Sequence, residues 1–451
     1  MNEERYIAAI EISSSKISGA VGRVRNNAPT RLEVLAVETE RITDIVNHGS
    51  IVNIEMVGNC VGRIVKRLEQ RISTNVKERK IKRLYVGLSG RSLRNIKTEI
   101  TRNLPDDTEI TDSLLQSLRL DARNSSIDGT LEVCDAIPRS FSVNNNETYN
   151  PVGICGNKIV GRYNLIVCRP LLSKHLMRVI RDKAGLGVAD LVITPLALGD
   201  LVLSSDERRL GCMLVDMGAE TTTVSLYKDN TLVYLAVLPM GSRNITLDIT
   251  SLNILEDKAE DIKTKSGSAI MPENQSSLNI SGVRMIDVNN RIVARSEEIV
   301  ANIVEQIEYA GMSAKNLPGK IVIAGGGFHL NKMAELLRGN SDLSVRRATL
   351  PVNISFEDTQ ASGYDCLQLV SILYAGLHDS SMECIEEVVS EELPAIGTYV
   401  EEEKPEKKEE EKKPSAPTHG SRIWDRVSRL SSTISNIFGP NVEDDDDDTD
   451  L

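Results

Sequence analysis

Aromatic residues are scarce in this 451-residue chain: Phe, Trp and Tyr make up 3% of it, with one tryptophan, while the apolar share of 40% is that of an ordinary soluble protein. A basic surplus is also missing. The net charge of −12 argues against nucleic acid as a partner, because neutralising phosphates needs a basic surface. No run approaches the ~18 apolar residues of a membrane-spanning helix, and the start, MNEERYIAAI, lacks the charged-then-apolar layout of a leader. The seven cysteines (Cys60, Cys134, Cys155, Cys168, Cys212, Cys366 and Cys384) show no CxxC pair and no metal-ligand spacing. They read as reduced thiols that serve as small buried hydrophobes. These absences together point to a cytosolic or peripheral protein with room for two or three domains.

What is present is a pattern that occurs twice. YIAAIEI, SGAVGRV and LEVLAVE read as three strands in quick succession, followed by MVGNCVGRIVKRLEQRI with apolar residues at helical spacing. KRLYVGLSG and YNLIVCRP read as strands, and KHLMRVIRDKAGLG as a helix ending on glycine. CMLVDMG, TTVSLY and LVYLAVLP then repeat the three-strand plan. KIVIAGGGFHL is a strand running into a glycine turn, with NKMAELLRG as the helix behind it. Two such copies predict a duplicated α/β fold with a ligand between the halves.

The composition changes after residue 384. Residues 384–420 are rich in Glu, Lys and Pro and hold too few large apolar side chains to fold, which predicts a disordered linker. Residues 421–438 are periodic again. Ile423, Trp424, Val427, Leu430, Ile434, Ile437 and Phe438 span an arc of about 140° at 100° per residue. Arg422, Arg426 and Arg429 lie along one flank. That is the composition of a helix in a membrane interface, with arginines at anionic headgroups; docking on a globular partner is the alternative. An acidic tail, 441–451, follows.

The chemistry concentrates in three turns. EISSSK, Glu11 to Lys16, occupies the first turn of the first meander, and DMGAETT, Asp216 to Thr222, the equivalent turn of the second. Strand-turn-strand loops of this kind present backbone amides to phosphates. Glu11 and Asp216 stand at the same place in each copy, where they suit Mg²⁺, which commonly takes one or two carboxylates plus phosphate oxygens. AGGGF, Ala324 to Phe328, offers a glycine surface to an adenine ring. Each turn alone reads as an ordinary tight turn; the three in this order are more specific.

This order of turns resembles the actin-like ATPase superfamily, and within it the FtsA family of bacterial cell-division proteins. SSDERRLGCMLVDMGAET is similar to the family's approach to its second phosphate motif, and NPVGICG, Asn150 to Gly156, to a segment of its inserted subdomain. The resemblance implies two RNase H-like domains around a nucleotide cleft. Residues 5–84, 164–204 and 355–380 then form the first domain, and 85–163 the inserted subdomain. Residues 205–245 and 312–354 form the core of the second domain, with 246–311 as its small subdomain. It implies ATP with Mg²⁺, held by Ser14, Ser15 and Lys16, by Gly218, Thr221, Thr222 and Gly241, and by Gly325, Gly326 and Gly327. AEDIK, Ala259 to Lys263, is similar to a family helix whose acid and lysine lie beside the nucleoside, so Glu260 and Lys263 are carried over. The bare residues of that segment read as an i, i+3 ion pair. The resemblance also implies head-to-tail self-association, other division proteins as partners, and binding of the C-terminal tail of FtsZ through Arg295 in the segment Ile292 to Ile307, at the inner membrane of the septum.

Four residues depart from the family pattern, among them Ser242, which follows Gly241 where two glycines are common. Ser13 stands where the first turn has glycine, and Ala219 and Glu220 replace glycines of the second. A Cβ resists positive φ and close backbone approach, and Glu220 brings negative charge toward a triphosphate. Nucleotide binding with hindered hydrolysis is the expectation. A small-molecule kinase or another actin-like or Hsp70-like ATPase is the alternative, but no acceptor-activating carboxylate stands out beyond the turns.

Overall fold

The structure is a computed structural model that describes residues 4–25, 30–73, 77–273, 279–280, 282–357, 364–377 and 382–389. The expected membrane helix 421–438, the acidic tail 441–451 and most of the expected linker lie outside the described residues.

The two copies in the sequence become two sheets of the same plan. In the first, Glu4–Ile12, Lys16–Arg25 and Arg31–Arg41 form an antiparallel meander, and Arg83–Leu88 and Gly187–Ile193 extend it in parallel from the side of the first strand. In the second, Cys212–Met217, Thr222–Lys228 and Thr231–Leu238 form the meander, and Ile321–Ala324 and Val345–Arg347 extend it in the same sense. The central strands are apolar throughout because both of their faces are covered: Ile7, Ala8, Ala9 and Ile10 are all fully buried. These are two RNase H-like halves, each with its own apolar core.

Helices fix how the halves sit. Ile54–Ile72 begins at Asn53, whose side chain accepts the amide of Met56, and buries Val57, Val61, Ile64, Val65, Leu68 and Ile72 along one face. Leu367–Leu377 is apolar almost all round because it lies between the first sheet and the helix Thr194–Val202. It approaches closely enough that a Cβ on Gly87 would stand 2.6 Å from Ile372 Cδ1. The chain thus returns to the first half after the second, and Ile354–Phe356 joins the first sheet beside Arg31–Arg41. In the second half, helices Ser242–Thr250, Glu256–Ser266 and Met285–Tyr309 make the small subdomain.

The inserted subdomain is a four-stranded sheet of Arg94–Glu109, Glu132–Val143, Asn146–Thr148 and Cys155–Cys168, with helix Asp112–Arg123 against it. Its limits correct the expected 85–163. Residues 85–88 belong to a strand of the first sheet, and the last strand of the insert runs on to Cys168. Periodicity marks a strand but not the sheet that it joins. A second correction concerns the linker, expected from 384: Ile385–Val389 is a strand paired antiparallel with Lys77–Ile81. The acids that made this stretch look solvated meet basic partners, Glu387 with Arg79 and Glu386 with Lys82. Among the cysteines, Cys155 is exposed and Cys366 half-buried, contrary to a uniformly buried role. Cys134 occupies a bulge that brings its Sγ to 3.2 Å from that of Cys168.

The insert is braced against the second half by two asparagines. Asn164, fully buried, donates to the Leu232 carbonyl at 2.6 Å. Asn95 accepts from the Leu235 amide at 2.7 Å and donates to Asn164 Oδ1 at 3.1 Å. Side-chain amides here do the work of a neighbouring strand along Thr231–Leu238. Asn164→Ala leaves Leu232 without this buried donor, and the expected loss is about 1–3 kcal/mol. Urea unfolding checks this, and a midpoint equal to wild type means that the asparagine contributes no bracing.

Candidate functional site

Glu11 and Asp216 are each the next-to-last residue of the first strand of their half. The matching topology brings the two strand ends near enough that the charge of Glu11 acts on Asp216. Burial pushes Glu11 above the usual carboxylate range, with Lys16 opposing. Asp216 is pushed up to about 7, first by burial and then by the charge of Glu11. A hydrogen bond from Gln368 Nε2 at 2.6 Å and the charge of Lys16 pull the other way. Two acids held above the usual carboxylate range, one of them partly by the charge of the other, are a donor set that suits a divalent cation.

The first turn is tight without glycine. Ser13 sends both its amide and its hydroxyl to the Lys16 carbonyl, at 3.0 and 2.9 Å. Ser13 does not adopt positive φ, so its Cβ is not the obstacle that the family pattern suggests. Ser14 Oγ accepts the Gly49 amide at 3.1 Å, and exposed Ser15 accepts Ile42 N on its carbonyl. Lys16 Nζ reaches the Asp365 carbonyl at 3.1 Å.

The second turn is likewise closed by its own backbone, Gly218 N to Thr221 O at 2.8 Å, and neither Ala219 nor Glu220 has positive φ. The carbonyls of Gly218 and Ala219 accept the Ser242 and Arg243 amides at 3.0 and 2.7 Å. These are the free amides that open the next helix. Gly241 must be glycine at this contact, because a Cβ would stand 2.6 Å from Ala219 O. Thr222 is fully buried and donates to Met240 O at 2.8 Å, which spends its hydroxyl inside the fold; Thr221 is half-buried at the turn.

Glu220 lies at 8% exposure. Its carboxylate does not point at the turn's amides. One oxygen meets Arg243 Nη1 at 2.6 Å and the other accepts the His48 amide at 2.7 Å. The repulsion expected from an unpaired acid in the phosphate turn is therefore corrected: the charge is matched by an arginine.

The remaining predicted residues divide. Gly325, at φ +87°, lies where a Cβ would stand 2.5 Å from Asp216 Oδ1, and Gly327 is pressed on Met217; Gly326 faces open space. Lys263 is 3% exposed, and its ammonium is held by Ser242 O at 3.0 Å, Thr246 Oγ1 at 2.8 Å and Glu260 Oε2 at 2.7 Å. Burial pushes its pKa down, with Glu260 opposing. The pair Glu260–Lys263 thus links two helices rather than lying on a solvated face. Arg295 stands on another helix and makes a two-pronged bond to Asp248 at 2.6 and 3.1 Å, with Glu298 beside it. His48, Arg243 and Gln368 complete the site, and sequence reasoning missed them. They lie 172, 23 and 152 residues from their acid partners, so no local spacing signals them.

Comparison with known proteins follows the same division of the chain. The profile of the family "Cell division protein FtsA" matches residues 213–418, and that of the "SHS2 domain inserted in FTSA" matches 90–167. Between them they take in more than half of the sequence. A cell division protein FtsA from Porphyromonas gingivalis is 29% identical over 334 residues, 72% of this chain and 68% of that protein. The one from Bacillus subtilis is 26% identical over 374 residues, 80% and 82% respectively. Among solved structures, a "PilM-PilN type IV pilus biogenesis complex" chain shares the fold with a TM-score of 0.58 at 15% identity, over 82% of this chain and 98% of that one.

The shift of Asp216 has a measurable sign. A carboxyl raised to about 7 in the folded chain and titrating near the ordinary ~3.9 when unfolded binds more protons in the fold between those values. Folding stability therefore falls as pH rises from about 4 to 7. Asp216→Asn removes this penalty and is expected to melt higher than wild type at pH 8, with the gain fading toward pH 4. A difference in melting temperature that does not vary with pH would exclude titration of Asp216 as its cause.

Proposed function

This chain belongs to the cell division protein FtsA family, and on that premise we propose that it is an actin-like, nucleotide-binding protein that polymerises and tethers FtsZ filaments to the inner face of the cytoplasmic membrane. The carrying observation is the pair Glu11 and Asp216 at equivalent strand ends, Glu11 buried and Asp216 half-buried, with the charge of Glu11 acting on Asp216. ATP with Mg²⁺ suits this donor set. The cation supplies charge to hold the phosphates and would rest on these two carboxylates. Binding it would require that Asp216 be ionised, so protons compete with the cation for this site. Lys16 brings positive charge from the first turn, and Gly326 leaves open space beside the third turn. The protein acts as a scaffold, with at most weak ATP turnover.

The membrane contact is assigned to Ile423, Trp424, Val427, Leu430, Ile434, Ile437 and Phe438 on the sequence pattern alone. A short interfacial helix binds reversibly, comparable to one acyl chain at ~10⁴ M⁻¹. Many such helices joined through a protofilament gain ~10²–10⁴-fold in avidity. Self-association is thus part of the anchoring and places the protein, with other division proteins, at the septum. The FtsZ tail is assigned to the helix that carries Arg295. That side chain is about one-third exposed and is oriented by Asp248.

One sedimentation experiment tests this reading. Wild type with ATP and anionic liposomes should carry a labelled peptide of the FtsZ C-terminus into the pellet. Trp424→Glu should leave both protein and peptide in the supernatant, and Arg295→Glu should pellet the protein without the peptide. Pelleting of Trp424→Glu with the liposomes would remove the anchor assignment, and peptide recovery with Arg295→Glu would remove the partner contact.

A further inference from the structure

The residue that departs most from the family's phosphate turn also joins the two halves. We propose that Glu220 is a clasp that locks the two halves across the cleft and so slows both entry and exit of nucleotide. The nucleotide part of this rests on the function proposed above. The clasp itself rests on geometry.

Glu220 belongs to the second half, in the turn between Cys212–Met217 and Thr222–Lys228. Its Oε2 accepts the His48 amide at 2.7 Å, and its own carbonyl meets His48 Nδ1 at 2.9 Å. His48 belongs to the first half, between the short strands Val46–Asn47 and Ser50–Ile51. Arg243, again from the second half, holds Glu220 Oε1 at 2.6 Å and reaches back to Asp44 Oδ1 of the first half at 3.0 Å. Glu256 fixes the other edge of the guanidinium at 2.7 Å. Two carboxylates of one half and one of the other therefore converge on a single arginine, and the backbone of the first half is gripped directly.

The legs of this clasp are not equal. Asp44 is 75% exposed, so its pairing with Arg243 is screened and weak. The Glu220 side chain is 10% exposed and that of Arg243 22%, so their bond and the His48 leg form where water competes least. Hydrogen bonds raise the affinity of Arg243 for its proton, first from Glu256 and then from Glu220 and Asp44, so the cation is permanent. Glu220 is the member whose removal breaks the strong cross-half contact.

The gripped loop is also tied to the site. Asp44 and His48 have φ of +57° and +45°, in the left-handed region that Asp and His enter more readily than most non-glycine residues. Gly49 follows at +78°, where a Cβ would stand 2.6 Å from Gly90 Cα. Its amide donates to Ser14 Oγ of the first phosphate turn. One short loop thus hangs between the first turn and Glu220, and a phosphate that drew Ser14 away would loosen the loop at one end.

Glu220→Gln tests the proposal because it keeps the shape and removes the charge. A gate differs from a ligand contact in its kinetics. Opening a gate speeds entry and exit together, whereas loss of a contact speeds exit alone. With a fluorescent ATP analogue, Glu220→Gln should raise the association and dissociation rate constants each by about tenfold, equivalent to ~1.4 kcal/mol of barrier, while Kd moves by less than about threefold. Faster exit with unchanged entry would overturn the gate, as would two unchanged rates. Hydrogen exchange of nucleotide-free protein gives the second readout. Exchange over residues 44–49 should accelerate in Glu220→Gln, while residues 231–234, at the far end of the hairpin from the clasp, keep their rates. Unchanged exchange over 44–49 would overturn the clasp itself. If wild type retains no analogue, the nucleotide reading fails, and this exchange measurement decides the clasp on its own.

Discussion

Glu11 and Asp216 end the first strand of each half, and burial close to each other keeps both from ionising freely. Much around them follows from this strain. Gln368 comes from the returning helix to hydrogen-bond Asp216, and Lys16 leans over the first turn to the Asp365 carbonyl. Gly325 is glycine because the Asp216 carboxylate occupies the space a Cβ would need. A duplicated fold brings its two copies face to face, so a charge at one position in the repeat meets its own counterpart. Unless a cation or a proton stands between them, the halves are pushed apart at the point where they should close.

The returning segment answers that repulsion with contacts to both halves. Lys16 of the first half and Asp216 of the second both end on residues 365–368. His329 meets Asp365 at 2.8 Å and stacks edge-on with Tyr364. The buried helix Leu367–Leu377 then commits the segment to the first half through apolar packing. Closure is thus held at the base by burial and at the turns by charged hydrogen bonds. Ionic screening does not weaken apolar burial, whereas it does weaken charged contacts near the surface.

The sequence shows the plan of the fold because the plan is local. Two meanders with apolar strands, a glycine turn and helices with 3.6-residue spacing are each written within a dozen residues. The acids at equivalent turns were legible for the same reason. What the sequence hides is every pairing at long range. Glu220 reads as an intruder in a glycine loop until Arg243 and the His48 amide are placed beside it. Ser13 reads as a defect, although its hydroxyl closes the turn that glycine closes elsewhere. Residues 385–389 read as the start of a solvated linker because composition does not reveal that Lys77–Ile81 waits as a basic partner. The boundary at residue 85 failed because a strand's alternation does not say which sheet it enters.

Thr231–Leu238 is the outer strand of the second sheet. An outer strand offers bare amides and carbonyls that invite pairing with any extended chain, including another copy of the same protein. Asn164 and Asn95 take the Leu232 carbonyl and the Leu235 amide respectively, and the insert packs against that flank. On the function proposed above, the protein works beside its own copies, where an open strand edge would invite unintended sheet growth. Two amide side chains thus occupy backbone groups on which a foreign strand would have to pair, and they close that register of the edge.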